Sequence, residues 1–282
     1  GGSGSGDAAA RRAAEIKLSD HTAKNALSTS RNRHDDKDLL NLGAGLFFGV
    51  QSAFFFLTAR HSTDVTLMLH TATVRVNEDA DGSVSVLPAW SDSGVTVSLD
   101  GIVSLYLSFA SVHHLSLLVP PIGRHYKMQL DDGIGAHRFF EYSFSSAIMM
   151  LLIGIAVGVR DVEMLLMLVL CLTMCNLLGL LAEYDIARGV RFPLAHFVAW
   201  LPFAAAWSVV WRYYLRVPAD ALNASVGVTL AVIFAIFNLF GVTQVLHMAG
   251  FFDHSRVESV YVLLSMVAKS TLGASLMFGL LT

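Results

Sequence analysis

The sequence predicts an all-α membrane protein, a bundle of seven spanning helices with one small extracellular β-hairpin after the first of them. Three observations carry this. Of 282 residues, 54% are hydrophobic and only 15% charged, whereas a soluble domain carries about 25% charge. Mean hydropathy is +0.58. Seven apolar segments, at about 39–59, 97–120, 134–159, 162–182, 192–215, 222–249 and 257–281, each reach the length a helix needs to cross a bilayer.

Ahead of the first span, GGSGSG reads as a flexible linker, and residues 7–36 as a polar cytoplasmic arm, partly helical around Ala8–Leu18. No cleavable signal peptide is expected there. Residues 1–37 are thus an arm and residues 38–282 a helical domain. The first span carries Gln51. Between it and the second span, residues 60–96 contain TLMLHTATVRVNEDADGSVSVLPAW, which alternates on both sides of the turn-forming run Glu78–Gly82. That pattern predicts a two-stranded ribbon outside the membrane.

The second span ends with His113 and His114, and the third holds Glu141 in HRFFEYSFSSAIMMLL. The fourth contains Cys171 and Cys175, whose spacing of four on an apolar helix reads as small packing residues, not a disulfide or metal site. Glu183 follows its end. The fifth and sixth spans bring Trp200, Phe203, Trp207, Phe234, Phe237, Asn238 and Gln244. The seventh, VESVYVLLSMVAKSTLGASLMFGLLT, has Lys269 near its middle.

Lys and Arg counts set the orientation. With the N-terminus in the cytoplasm, thirteen fall inside and five outside, seven of the thirteen from the arm. The positive-inside rule then places the N-terminus in the cytoplasm and the C-terminus outside. A net charge of −3, with no basic patch interleaved with aromatics, gives no sign of nucleic acid. HExxH, GxSxG, Walker loops and paired carboxylates are missing, so an enzyme is not expected, nor a metal.

Lys269 is the most informative residue. A lone ammonium at bilayer depth costs about 2.5–3.5 kcal/mol on insertion scales. It is either paired with an acid or converted to something other than a free amine. A desolvated lysine is a nucleophile toward aldehydes, so a Schiff base is the natural conversion. A lysine snorkelling to the interface is the plainer alternative, opposed by about a dozen apolar or small residues on each side.

A protonated Schiff base needs a counterion. Glu141 is the one carboxylate placed deep in a span, the other acids standing at segment ends or in loops. Its depth differs from that of Lys269 by little more than one turn. Ser265 precedes Lys269 by four residues and shares its face. Gln51, Asn238 and Gln244 could bridge helices or hold waters, and His113 and His114 lie near the cytoplasmic end. A flat slot for a polyene could be built from Phe140, Phe144, Met149, Phe203, Trp207 and Phe237, although such aromatics commonly serve as packing.

Taken together, the chain resembles the heliorhodopsins, retinal proteins whose membrane orientation is inverted relative to other microbial rhodopsins. YVLLSMVAKS resembles their retinal-attachment segment and RFFEYSFSSAIMM their counterion segment. The resemblance runs from about Leu39 to Leu281. It implies a rhodopsin-like bundle holding all-trans retinal on Lys269, with Glu141 as counterion and Ser265 bonded nearby. His114 matches a histidine of the family's polar cavity, and Glu183, Asn238 and Gln244 fall on its polar positions. Phe48 stands where many members carry histidine, although Gln51 matches. Ala110 replaces a common serine and Phe139 a frequent tryptophan. These departures bear on the polar cavity, absorption maximum and photocycle rate, not on retinal binding.

The resemblance further implies isomerisation to 13-cis with a slow photocycle, and a signalling or regulatory role through an unidentified signalling or transporter partner. It also implies a homodimer within the lipid, and the external hairpin could pair with its twin across the two-fold by strand addition at its edge. Two rivals stand beside this reading. A light-gated proton channel or ion transporter could use the same scaffold, with Glu141 as the only deep carboxylate arguing against pumping. A receptor with no chromophore is also compatible with seven helices.

Overall fold

A computed structural model describes residues 34–58, 66–78, 84–218 and 224–278. The expected arm, including the helical turn around Ala8–Leu18, and the hairpin turn at 79–83 lie outside the described residues. Helix α1 spans His34–Thr58. Strands β1 (Thr66–Glu78) and β2 (Val84–Ser98) follow, then α2 (Leu99–Ser116), α3 (Ile122–Asp131), α4 (Ala136–Ala156), α5 (Val162–Ala187), α6 (Leu194–Tyr214), α7 (Ala224–Met248) and α8 (His254–Phe278).

Among the described residues, six helices are long and apolar enough to cross a membrane: α1, α4, α5, α6, α7 and α8. Helix α2 is the seventh member. Its 18 residues would reach about 27 Å at 1.5 Å per residue. Ser104, Ser108, Ser111 and two histidines dilute its hydropathy. The serines join it to α1: Ser52 Oγ lies 2.6 Å from Ser108 Oγ, and Ser111 Oγ donates to Gly45 O at 2.7 Å. Helix α4 is central, with 61% of its span buried against 22% for α5.

Helix ends follow local chemistry. Ser98 Oγ accepts from Gly101 N at the start of α2, and Asp161 Oδ1 from Met164 N at the start of α5. Gly158 and Gly189 stop α4 and α5 at φ of 101° and 86°, backbone that a side chain resists. Pro202 sits inside α6, where it removes one backbone donor beside Phe203.

The hairpin is antiparallel, registered from Thr66 opposite Ser98 to Glu78 opposite Val84, with an irregularity between Met68 and His70. Strand β2 runs straight into α2, two residues past the expected end of the ribbon. The hairpin docks on the α4–α5 turn, where His70 N donates to Arg160 O at 2.8 Å. Helix α3 was not expected. Its segment, IGRHYKMQLD, is short and polar overall, yet Tyr126 and Leu130 pack on Leu117 and close the bundle at the end opposite the hairpin.

Candidate functional site

Lys269 in α8 meets Glu141 in α4 at the centre of the bundle. Its Nζ lies 3.1 Å from one carboxylate oxygen and 3.2 Å from the other, and also donates to Ser265 Oγ one turn earlier. Both charges are buried, at 2% and 1% exposure. Each is tolerable only because the other is there. The ammonium also sits over two rings, 5.3 Å from the centroid of Phe48 and 5.2 Å from that of Tyr142. Phe48 in turn stacks on His114 at 5.8 Å.

A cavity of about 110 Å³ opens at Lys269 and Ser265 and runs between α4, α5, α6, α7 and α8. Of the aromatic and methionine residues expected there, Met149, Phe203 and Phe237 line it, joined by Phe139, Trp200 and Phe240. Trp207 lies behind this wall, buried and edge-on to Phe234 at 4.8 Å. Phe140 and Phe144 correct the expectation: they are 57% and 49% exposed and pack with Phe109 on the outer surface. Asn238 also stays out of the slot, its amide donating to Phe234 O within its own helix.

Gln244 does line the cavity. Its carbonyl lies 2.9 Å from His196 Nδ1, and its amide donates to Gly179 O at 3.0 Å. Trp200 Nε1 donates to His196 Nε2. His196 is therefore a site residue that sequence reasoning missed; one histidine in the first turn of an apolar helix gives no signal by itself.

A second, smaller space of about 10 Å³ lies on the other side of Glu141, lined by Asn41, His113, His114, Arg138, Tyr142 and Glu258 among others. That is about the volume one water needs. His114 Nδ1 is 2.8 Å from Asn41 Oδ1. Gln51 lines neither space.

Glu183 belongs elsewhere. It accepts from Arg138 Nη2 at 2.5 Å and from Gly135 N at 2.7 Å, while Arg138 Nη1 pairs with Glu258. Arg138, Glu183 and Glu258 are each no more than 4% exposed. Glu141 remains the carboxylate placed deep in a span, but Glu183 and Glu258, at helix ends, are buried as well, because Arg138 joins them and α3 covers that end. Tyr126 in α3 donates to Glu258 at 3.4 Å, and burial pushes its pKa up, so its phenol remains a donor.

The arrangement places one buried primary amine, paired with one carboxylate, at the head of a long aromatic-walled cavity. Such an amine condenses with an aldehyde whose apolar remainder fills that cavity. Three comparisons bear on it. The family model Heliorhodopsin matches residues 38–281. A comparison with curated proteins finds no match. Among solved structures, a cyanorhodopsin from the cyanobacterium Tolypothrix sp. NIES-4075 is 12% identical at a TM-score of 0.56, covering 86% of this chain and 94% of its own. The transmembrane domain and linker region of the Salpingoeca rosetta rhodopsin phosphodiesterase is 13% identical at 0.61, covering 91% and 83%. These likenesses carry the fold.

Proposed function

The chain belongs to the heliorhodopsin family, multi-pass membrane proteins that sense light with retinal, and from that premise we propose that Lys269 carries the retinal as a protonated Schiff base with Glu141 as its counterion. The observation that carries this reading is the Lys269–Glu141 contact at the mouth of the aromatic cavity. The residues present fit the group. The amine is sheltered from water, and the cavity has mainly apolar walls on four further helices.

When bound, all-trans retinal supplies a conjugated cation that absorbs visible light and a change of shape to 13-cis. The chain's residues do the rest. Glu141 neutralises the nitrogen, and Ser265 holds it from the adjacent turn. Phe139, Trp200, Phe203 and Phe237 exclude water and fix the plane of a polyene. On the far side of Glu141, His114 and Asn41 border a water-sized space that can take a proton leaving the nitrogen. Slow return of that proton would hold the helices in an altered packing, the bistable element of a sensor.

The charge count supports a cytoplasmic N-terminus and an external hairpin. The hairpin exposes Val74, Val76, Val86 and Trp90, which supports pairing with a second copy across a dimer axis. Signalling would then pass to an unidentified partner.

Membranes expressing the chain and supplied with all-trans retinal should gain a visible absorption band, and Lys269→Ala should lack it. A variant that keeps the colour would end this reading.

A further inference from the structure

Helix α1 turns one stripe of residues into the bundle: Asn41, Ala44, Phe48, Ser52 and Phe55, spaced by three or four, are all buried. None of them lines the long cavity. Phe48 reaches instead to the Lys269 nitrogen, which stands 5.3 Å from the centroid of its ring. The ring of Tyr142 in α4 is 5.2 Å from the same atom. Both rings are held in place. Phe48 stacks on His114 at 5.8 Å with the planes 26° apart, and His114 Nδ1 is itself 2.8 Å from Asn41 Oδ1. The Tyr142 phenol donates to Tyr261 O at 2.8 Å, and its ring meets Phe240 edge-on at 5.4 Å.

We propose that Phe48 is a second electrostatic partner of the Lys269 nitrogen: with Tyr142 it offers ring faces that stabilise the cation without a hydrogen bond, beside the charge of Glu141. Where colour is concerned, this role rests on the retinal reading above. The face of an aromatic ring is the negative end of its quadrupole. It attracts a cation within about 6 Å of its centroid, and more strongly once water is gone. An ammonium has three N–H donors, and Glu141 and Ser265 accept from this one. A protonated Schiff base keeps one N–H, so partners that need a hydrogen bond become fewer while a ring face loses nothing. Leucine at position 48 would exclude water equally well and carry no quadrupole. Histidine there would bring a nitrogen that competes for the proton.

The other groups facing the nitrogen are few among the described residues. Glu141 from α4 is the paired charge, and Ser265 lies on α8 itself. His113 and His114 from α2 share its field from farther away. From α5, α6 and α7 the cavity lining brings Cys175 and His196 as its titratable groups. Phe48 therefore acts where competing charges are scarce. It also acts at the nitrogen end of a conjugated cation, where the ground state holds more of the charge than the excited state does. Weakening the ring face raises the ground state most, so the band moves to longer wavelength and the nitrogen gives up its proton at lower pH.

The test replaces Phe48, in the retinal-supplied protein, with phenylalanine analogues carrying one, two or three ring fluorines. Each fluorine drains electron density from the ring face and leaves size and apolarity nearly as they were. The visible band should move stepwise to longer wavelength. The pH at which colour is lost should fall stepwise, by about one unit for three fluorines, a roughly tenfold change in the proton affinity of the nitrogen. Phe48→Leu should lie at or beyond the end of that series. The trifluoro analogue at Phe54, half exposed on the outer face of α1, should change neither reading. In retinal-free protein, nitrogen-15 NMR of the Lys269 amine should show deprotonation at lower pH along the same series.

A band and a colour midpoint that stay fixed across the fluorinated series overturn the role of the ring face. Loss of pigment in Phe48→Leu with no trend along the series does the same, and makes Phe48 a packing residue. Failure of the parent to form any visible band strikes the retinal reading instead. The retinal-free titration then decides the contact alone: a midpoint that falls with each fluorine upholds it, and a fixed midpoint overturns it.

Discussion

The phenol of Tyr106 in α2 donates a 2.9 Å hydrogen bond to the backbone carbonyl of Lys269 in α8. Lys269 is therefore held at both ends, by Glu141 and Ser265 at its nitrogen and by Tyr106 at its main chain. Gly273 keeps the contact close, since a Cβ there would stand 3.1 Å from Phe55 and 3.4 Å from the Tyr106 oxygen. Tyr106→Phe keeps the ring and removes the bond. It should preserve the colour, cost about 1 kcal/mol of stability and quicken thermal bleaching. Bleaching at the parent rate would show that the bond does not hold the anchor.

Glu141→Gln removes the one negative charge that, among the described residues, lies within bonding distance of the Lys269 nitrogen. In a retinal cation the ground state concentrates charge at that nitrogen more than the excited state does, so losing the counterion should move the band to longer wavelength. The cation also loses its main stabilisation, and the band should vanish with rising pH sooner than in the parent. An absorption titration reads both. Glu141→Asp, which keeps the charge, should fall between them.

Arg138 is shared by Glu183 and Glu258, and all three are buried. Arg138→Leu would strand two carboxylates, and breaking a buried pair costs about 3–5 kcal/mol. Glu183→Gln together with Glu258→Gln in that background should restore much of the lost melting temperature, because the stranded charges are gone. Additive losses across the three changes would mean the residues do not act as a unit.

The seven spanning helices were legible because each is apolar over most of its length, α2 least so. That same uniformity concealed which face turns inward. In α4 the inward stripe carries Glu141, Ser145 and Met149 at intervals of four, and Phe140 and Phe144 lie one position behind it, turned outward by about 100°. Position along a span was equally silent about Glu183 and Glu258. They stand at helix ends, where acids usually meet water, and are buried only through Arg138 from a third helix and the cover of α3. Lys269 and Glu141 could be paired from sequence because both are charges that the bilayer cannot hold singly.

Phe140 and Met149 separate the two faces experimentally. Phe140→Ala removes a ring from the outer surface, so stability should stay within about 0.5 kcal/mol and the absorption maximum should not move. Met149→Ala enlarges the wall of the slot and should shift the maximum. A spectral shift from Phe140→Ala alone would place the polyene on the wrong side of α4.

Gly241 offers the sharpest test of the slot's width. A Cβ added there would lie 2.6 Å from Cζ2 of Trp200 and 3.0 Å from Cη2, too close for any real pair. The indole has little freedom to withdraw, since its N–H is bonded to His196 and its edge packs on Phe203 at 5.4 Å. Gly241→Ala must therefore break the His196 bond or press the indole into the cavity, and overpacking of this kind costs about 1–3 kcal/mol. Either result narrows the space a polyene would fill, so pigment yield at a fixed retinal supply should drop and the band should move. Gly43→Ala, where nothing lies within 4 Å of the added carbon, should match the parent in both. If Gly241→Ala forms pigment in full yield with the parent spectrum, the chromophore does not occupy the part of the cavity bounded by Trp200.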